Sequence, residues 1–134
     1  MKLGYVILYV PDVPKAVEFY KSAFGLECRF QPKGEDVDYA EMATGETVLS
    51  FASETLAQSH GFRFRKSSID EDAASVELAL VTDDVDTAFH RAVTAGAQSA
   101  KEPSMTSWGQ TVSYVRDLNG YLVEICSPIQ SGES

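Results

Sequence analysis

Asp12-Val13 and Asp84-Val85 lie 72 positions apart, and the chain around each reads the same way. Each pair follows a run of β-forming residues, Leu3 to Val10 and Ser75 to Thr82, and each opens an apolar face at helical spacing. The first face is Val13, Ala16, Val17, Tyr20 and Phe24; the second is Val85, Ala88, Phe89, Ala92 and Val93. An Asp at the N-cap satisfies amides of the first helical turn, and Pro14 is tolerated in that turn. Gly25 and Gly96 stand where the two helices must stop. A repeat of this kind restricts the fold sharply, because neither half covers its own sheet. The expectation is an α+β fold of two tandem β-α-β-β-β modules joined in a curved mixed sheet around a cavity.

The remaining strands of the first module are read at Leu26 to Gln31, Val37 to Ala43 and Thr47 to Ala52. Pro32-Lys33-Gly34 and Thr44-Gly45-Glu46 mark the turns between them. Module 1 thus covers about 1–53 and module 2 about 74–128 of a single domain. The polar stretch between them, about 54–73, reads as a connector, either a plain linker or a lid over a ligand. A short strand near Ala97 to Ala100 precedes the last hairpin.

That hairpin, Ser107 to Ile125, holds the most pointed chemistry. Val112, Tyr114 and Arg116 share one face of its first strand, and Asp117-Leu118-Asn119-Gly120 reverses the chain. Glu124 then sits inside the apolar run Tyr121 to Ile125. An acid there must be paired, protonated or bound to a cation. Trp108 differs from the other aromatics because it lies in a polar Ser-Trp-Gly-Gln loop, where a rigid indole suits stacking on a flat or cationic ligand.

Charge narrows the partners. Eleven basic against twenty acidic residues give a net charge of -9, which opposes nucleic-acid binding and is compatible with a cationic ligand. No apolar run is long enough to span a bilayer, and no basic region followed by an apolar segment opens the chain, so a cytoplasmic location is expected. Cys28 and Cys126 lack metal-ligand spacing and are expected to be reduced thiols.

With these segments in view, the chain resembles the vicinal oxygen chelate superfamily, which includes glyoxalase I, bleomycin resistance proteins and extradiol dioxygenases. The resemblance rests on the paired modules, on Tyr5-Val6-Ile7-Leu8-Tyr9-Val10-Pro11-Asp12-Val13 with Ala16, Phe19 and Tyr20, and on two late segments. Those are Trp108-Gly109-Gln110 and Arg116-Asp117-Leu118-Asn119-Gly120-Tyr121-Leu122-Val123-Glu124. It implies four cavity-facing ligand positions, which fall here on Tyr5, Ser50, Glu77 and Glu124, and a homodimer with cavities near the subunit interface. Glu124 and Glu77 fit a ligand role; Tyr5 and Ser50 depart from the pattern, and His60 and His90 lie elsewhere.

Two glutamates, a phenol and a hydroxyl form a hard oxygen set that suits zinc, nickel or iron poorly and could hold Mg²⁺ or Mn²⁺ weakly. The expectation is therefore a small-molecule binding protein of the bleomycin resistance type with no metal cofactor. Tyr5, Ser50, Trp108, Tyr114 and Arg116 would contact the ligand, and Glu77 and Glu124 would form an acid/base couple or attract a cation. Tyr9 and Tyr39 are further candidates for the cavity wall. The alternative is a divalent-metal lyase or isomerase resembling glyoxalase I, with Glu77 and Glu124 on the metal.

Overall fold

The computed structural model of the chain describes residues 1–129. Its backbone divides into two compact units, Met1–Ser67 and Ser68–Ser134. The first runs β1 (Tyr5–Val10), α1 (Val13–Phe24), β2 (Glu27–Phe30), β3 (Tyr39–Ala43), β4 (Val48–Ser53) and α2 (Glu54–Ser59). Its sheet has the order β1-β4-β3-β2, with β1 parallel to β4 and the other pairs antiparallel.

Helix α1 forms where its caps and apolar spacing require. The Asp12 side chain accepts from the Lys15 N–H at 3.1 Å, and Gly25 leaves the helix in the left-handed region at φ 69°. The buried face is Val13, Ala16, Val17 and Tyr20, widened by Phe19 and Ala23. Phe24 is only half-buried. The sheet supplies Leu8, Val10, Ala40, Met42, Leu49 and Phe51, all buried, and the Tyr20 and Phe51 rings meet at 4.9 Å. Burying each such large side chain contributes about 1.5–3 kcal/mol. Strand alternation then leaves Tyr5, Ile7 and Tyr9, with Ser50, Tyr39 and Glu41, on the opposite, open face.

The second unit repeats the plan with β5 (Glu77–Val81), α3 (Val85–Thr94), β6 (Gln98–Met105), β7 (Thr111–Arg116) and β8 (Leu122–Cys126). Its sheet has the matching order β5-β8-β7-β6, again with the outer first strand parallel to the last. Asp84 caps α3 by accepting from the Thr87 N–H at 3.1 Å. Val85, Phe89 and Ala92 are buried, as are Ser113, Val115, Val123 and Ile125 of the sheet. The chain is therefore α+β, built as two tandem modules.

Three details differ from the sequence reading. Helix α3 closes on Ala95 in the right-handed region rather than on Gly96, which follows at φ 115°. Strand β6 runs on to Met105 through Pro103, which an edge strand tolerates because one side of its backbone has no ladder to supply. The connector 54–73 is not a bare linker. It opens with α2, capped by Ser53 Oγ accepting from the Leu56 N–H at 3.0 Å. Phe64 then packs edge-on against Tyr9 at 4.8 Å, and Lys66 pairs with Glu54 at 3.8 Å. No helix among the described residues is long and apolar enough to cross a membrane.

Candidate functional site

In the second unit the open face is laid out in cross-strand rows. Glu77, Leu122 and Arg116 form one row; Ala79, Glu124 and Tyr114 form the next; Val81, Cys126 and Val112 form the third. Glu77 and Glu124 are thus diagonal neighbours, close enough for their carboxyls to share a hydrogen bond. Glu124 also bears on Tyr114 and on Cys126, whose thiol donates to the Leu80 carbonyl at 3.8 Å, so one carboxyl sits beside three titratable neighbours.

The electrostatics follow from that arrangement. Partial burial first, then the charge and hydrogen bond of Glu124, holds the Glu77 carboxyl above the usual carboxylate range. Burial and the same negative charge raise the Tyr114 phenol and the Cys126 thiol. All three neighbours are therefore biased toward their protonated forms around one acceptor. Among the described residues, no basic side chain forms an ion pair with Glu77 or Glu124. The charge of the chain is concentrated in the same unit. It has three basic and eleven acidic residues, against eight and nine in Met1–Ser67.

Arg116 is placed on this face but reaches away from the glutamates. Its guanidinium donates to the backbone carbonyls of Gly120, Ile69, Ser68 and Glu71. Trp108 is 67% exposed, yet its indole is anchored. Its Nε1–H donates to Gln110 Oε1 at 2.8 Å, and buried Gln110 donates through Nε2 to the Ser127 carbonyl at 2.9 Å. A backbone bond from Thr106 N–H to the Gln110 carbonyl, 2.8 Å, closes the loop around it.

The first unit has a different arrangement at the corresponding positions. Tyr5 and Glu77 each open the first strand of their unit, and Ser50 and Glu124 each lie on the strand paired with it. Ser50 is fully buried, and its hydroxyl lies 2.9 Å from the Tyr39 hydroxyl. Tyr39 donates to Glu41 Oε2 at 2.8 Å, and Arg29 pairs with Glu41 Oε1 at 3.1 Å. Burial, with smaller effects from the Glu41 charge and hydrogen bond, keeps the Tyr39 phenol above its ordinary value. The face is a closed relay from Ser50 through Tyr39 and Glu41 to Arg29, with Tyr5 exposed beside it.

Glu41 and Arg29 were not singled out from the sequence. The alternation of Tyr39 and Glu41 with buried Ala40 and Met42 was the available signal for Glu41. The thiol of Cys126 was likewise read only as reduced and without a metal-ligand role. Its position two residues after Glu124 on the same strand face was the clue.

This donor set fits a zinc, nickel or iron ion poorly. Ser50 already has a hydrogen-bond partner, and the Glu77 carboxyl is held toward its protonated form by burial and by the charge of Glu124. His90 bonds the Asp86 carbonyl on α3 at 2.8 Å, and His60 caps α2. Among the described residues no group of three or more His, Cys, Asp or Glu side chains could hold a metal ion.

Comparison with known proteins agrees with this architecture. Residues 2–125 match the family described as the glyoxalase/bleomycin resistance protein/dioxygenase superfamily. The uncharacterized protein YraH of Bacillus subtilis (strain 168) is 32% identical over 127 residues, covering 93% of this chain and 97% of its own. A glyoxalase-related enzyme from Fulvimarina pelagi superposes with a TM-score of 0.79 at 21% identity, over 95% of this chain and 88% of that one. A glyoxalase/bleomycin resistance protein/dioxygenase family enzyme from Burkholderia phytofirmans PsJN gives 0.76 at 20% identity, over 95% and 98%. At these identities the two structures show a shared fold.

Proposed function

The chain belongs to the glyoxalase/bleomycin resistance protein/dioxygenase superfamily, and from that premise we propose that it binds a cationic aromatic small molecule without a metal cofactor. The observation that carries this reading is the Glu77–Glu124 pair beside Tyr114, with which no basic side chain among the described residues forms an ion pair. An ammonium or amidinium group answers such a pair. It meets the negative charge directly and can accept a tyrosine face as well. Trp108, held by Gln110 and open to solvent, supplies an aromatic platform that needs no ordering on binding.

The working form in this reading is a cytoplasmic homodimer. Its support is the exposure of Tyr5 and Ile7 on the outer strand β1 and of Val81 on the outer strand β5, since apolar edge strands are normally covered. Light scattering should return twice the chain mass.

The test of function is thermal unfolding of protein purified without chelator, with benzyltrimethylammonium and related aromatic cations, beside metal analysis of the same sample. Aromatic cations should raise the melting temperature, and Glu124→Gln should remove that rise. Stoichiometric metal, with stabilisation by Mn²⁺, Ni²⁺ or Zn²⁺ and none by the cations, would instead favour a metal-dependent lyase or isomerase using Glu77 and Glu124.

A further inference from the structure

Arg116 spends its guanidinium on the backbone around it. Its Nε–H donates to the Gly120 carbonyl at 3.0 Å and its Nη1 to the Ile69 carbonyl at 3.3 Å. Its Nη2 donates to Ser68 and Glu71 carbonyls at 3.2 Å and 2.6 Å. Four backbone acceptors therefore converge on one guanidinium, a fork geometry that lysine cannot reproduce.

The groove that receives residues 68–71 is shaped on both sides. Gly120 has φ +84°, and a Cβ there would lie 2.6 Å from Arg116 Nη2 and from the Ser68 carbonyl carbon, on top of the Ser68 oxygen. The segment itself is a turn, closed by Glu71 N–H to the Ser68 carbonyl at 3.1 Å and by Asp70 N–H to Ser68 Oγ at 3.2 Å. On the far side, Asp117 Oδ1 accepts from the Asn119 and Tyr121 N–H groups, both at 2.9 Å, and fixes the hairpin turn that carries Gly120.

What this clasp controls is the strand that follows. Six residues after Glu71 the chain enters β5 at Glu77. Strand β5 is an outer strand, paired among the described residues with β8 alone, and its residues alternate between exposed and half-buried. Little of its position is set by burial, so the point of entry matters. Arg116 also shares a cross-strand row with Glu77 through Leu122.

We propose that Arg116 is a positioning residue for Glu77: by clasping residues 68–71 against the Gly120 turn, it fixes where β5 begins and so aims the Glu77 carboxyl at Glu124. The binding consequence rests on the reading of Glu77 and Glu124 as a ligand site; the clasp itself does not.

Hydrogen exchange on the full chain tests the clasp. In Arg116→Lys, Arg116→Met and Gly120→Ala, amides of residues 68–72 and of β5 should exchange roughly tenfold faster or more, while Val115, Val123 and Ile125 keep wild-type protection. Unchanged exchange in β5, or a rise spread equally over the whole unit, overturns the proposal. Calorimetry with benzyltrimethylammonium supplies the second readout. Arg116→Lys should weaken binding about tenfold in the wild-type background and hardly at all in Glu77→Gln, the coupling expected when one residue acts through another. An equal loss in both backgrounds overturns the positioning role and leaves the site reading intact. If wild-type protein does not bind this cation, the site reading fails, and the exchange pattern alone decides whether the clasp sets β5.

Discussion

Glu77 and Glu124 meet diagonally: Glu77 is in register with Leu122 and Glu124 with Ala79, and partial burial with the charge of Glu124 raises the Glu77 carboxyl. A proton on Glu77 relieves that repulsion, and its removal leaves two like charges side by side. Glu77 is raised in the folded state, so its contribution to stability is fully present below the unfolded carboxylate pKa and is lost as pH rises through the folded value. Glu77→Gln keeps a donor and removes the repulsion. Its stability relative to the parent should increase from acid to neutral pH, by at most about 1 kcal/mol because the residue is exposed. Urea unfolding at a series of pH values measures it; a difference that shrinks toward neutrality would contradict the raised Glu77 carboxyl.

Tyr39→Phe leaves the fully buried Ser50 hydroxyl without its partner. The expected loss is about 1–3 kcal/mol in urea unfolding. Ser50→Ala added to Tyr39→Phe should recover part of it, because both ends of the bond are then gone. A double variant less stable than Tyr39→Phe would show that Ser50 is held by something else.

The two helix caps are tested by removing each side chain. Asp12→Ala should cost about 1 kcal/mol at neutral pH. Hydrogen bonds from the Thr87 hydroxyl and backbone lower the Asp84 carboxyl. Its contribution is present above the unfolded aspartate pKa and lost as pH falls through the folded one. Asp84→Ala should therefore destabilise at pH 7 and approach the parent near pH 2, read from thermal midpoints at the two pH values.

Trp108 is the single tryptophan, so its fluorescence reports its own loop. Gln110→Leu removes the acceptor of the indole N–H, and the anisotropy of emission should fall as the ring is released. Trp108→Ala should leave stability within about 0.5 kcal/mol, as exposed substitutions usually do. It should weaken binding of an aromatic cation about tenfold, the order of one desolvated cation–π contact. Equal affinity in the two proteins would remove Trp108 from the site.

Much of the fold was legible because its signals are local. Asp12 and Asp84 cap helices, apolar residues recur every three or four positions, and Gly25 takes the left-handed conformation that only glycine adopts readily. Helix α2 was missed because Glu54-Thr55-Leu56-Ala57-Gln58-Ser59 buries only Ala57 and so has no apolar stripe to read. The acid at 124 was legible as an anomaly in an apolar strand. Three of the four partners of Arg116 were not, since they lie 45 to 48 positions away and are backbone carbonyls, which carry no signature in the side-chain sequence. The Tyr39–Ser50 bond was hidden in the same way, across paired strands eleven positions apart.

Two units of one plan, with Tyr5 and Ser50 in one where Glu77 and Glu124 stand in the other, amount to a division of labour. In the first, polar side chains answer one another from Ser50 to Arg29 and leave an almost neutral half. In the second, the same scaffold gathers acid that its own residues do not neutralise. A substitution that tunes the acidic face therefore need not disturb the relay in its twin, which leaves the two halves able to vary separately.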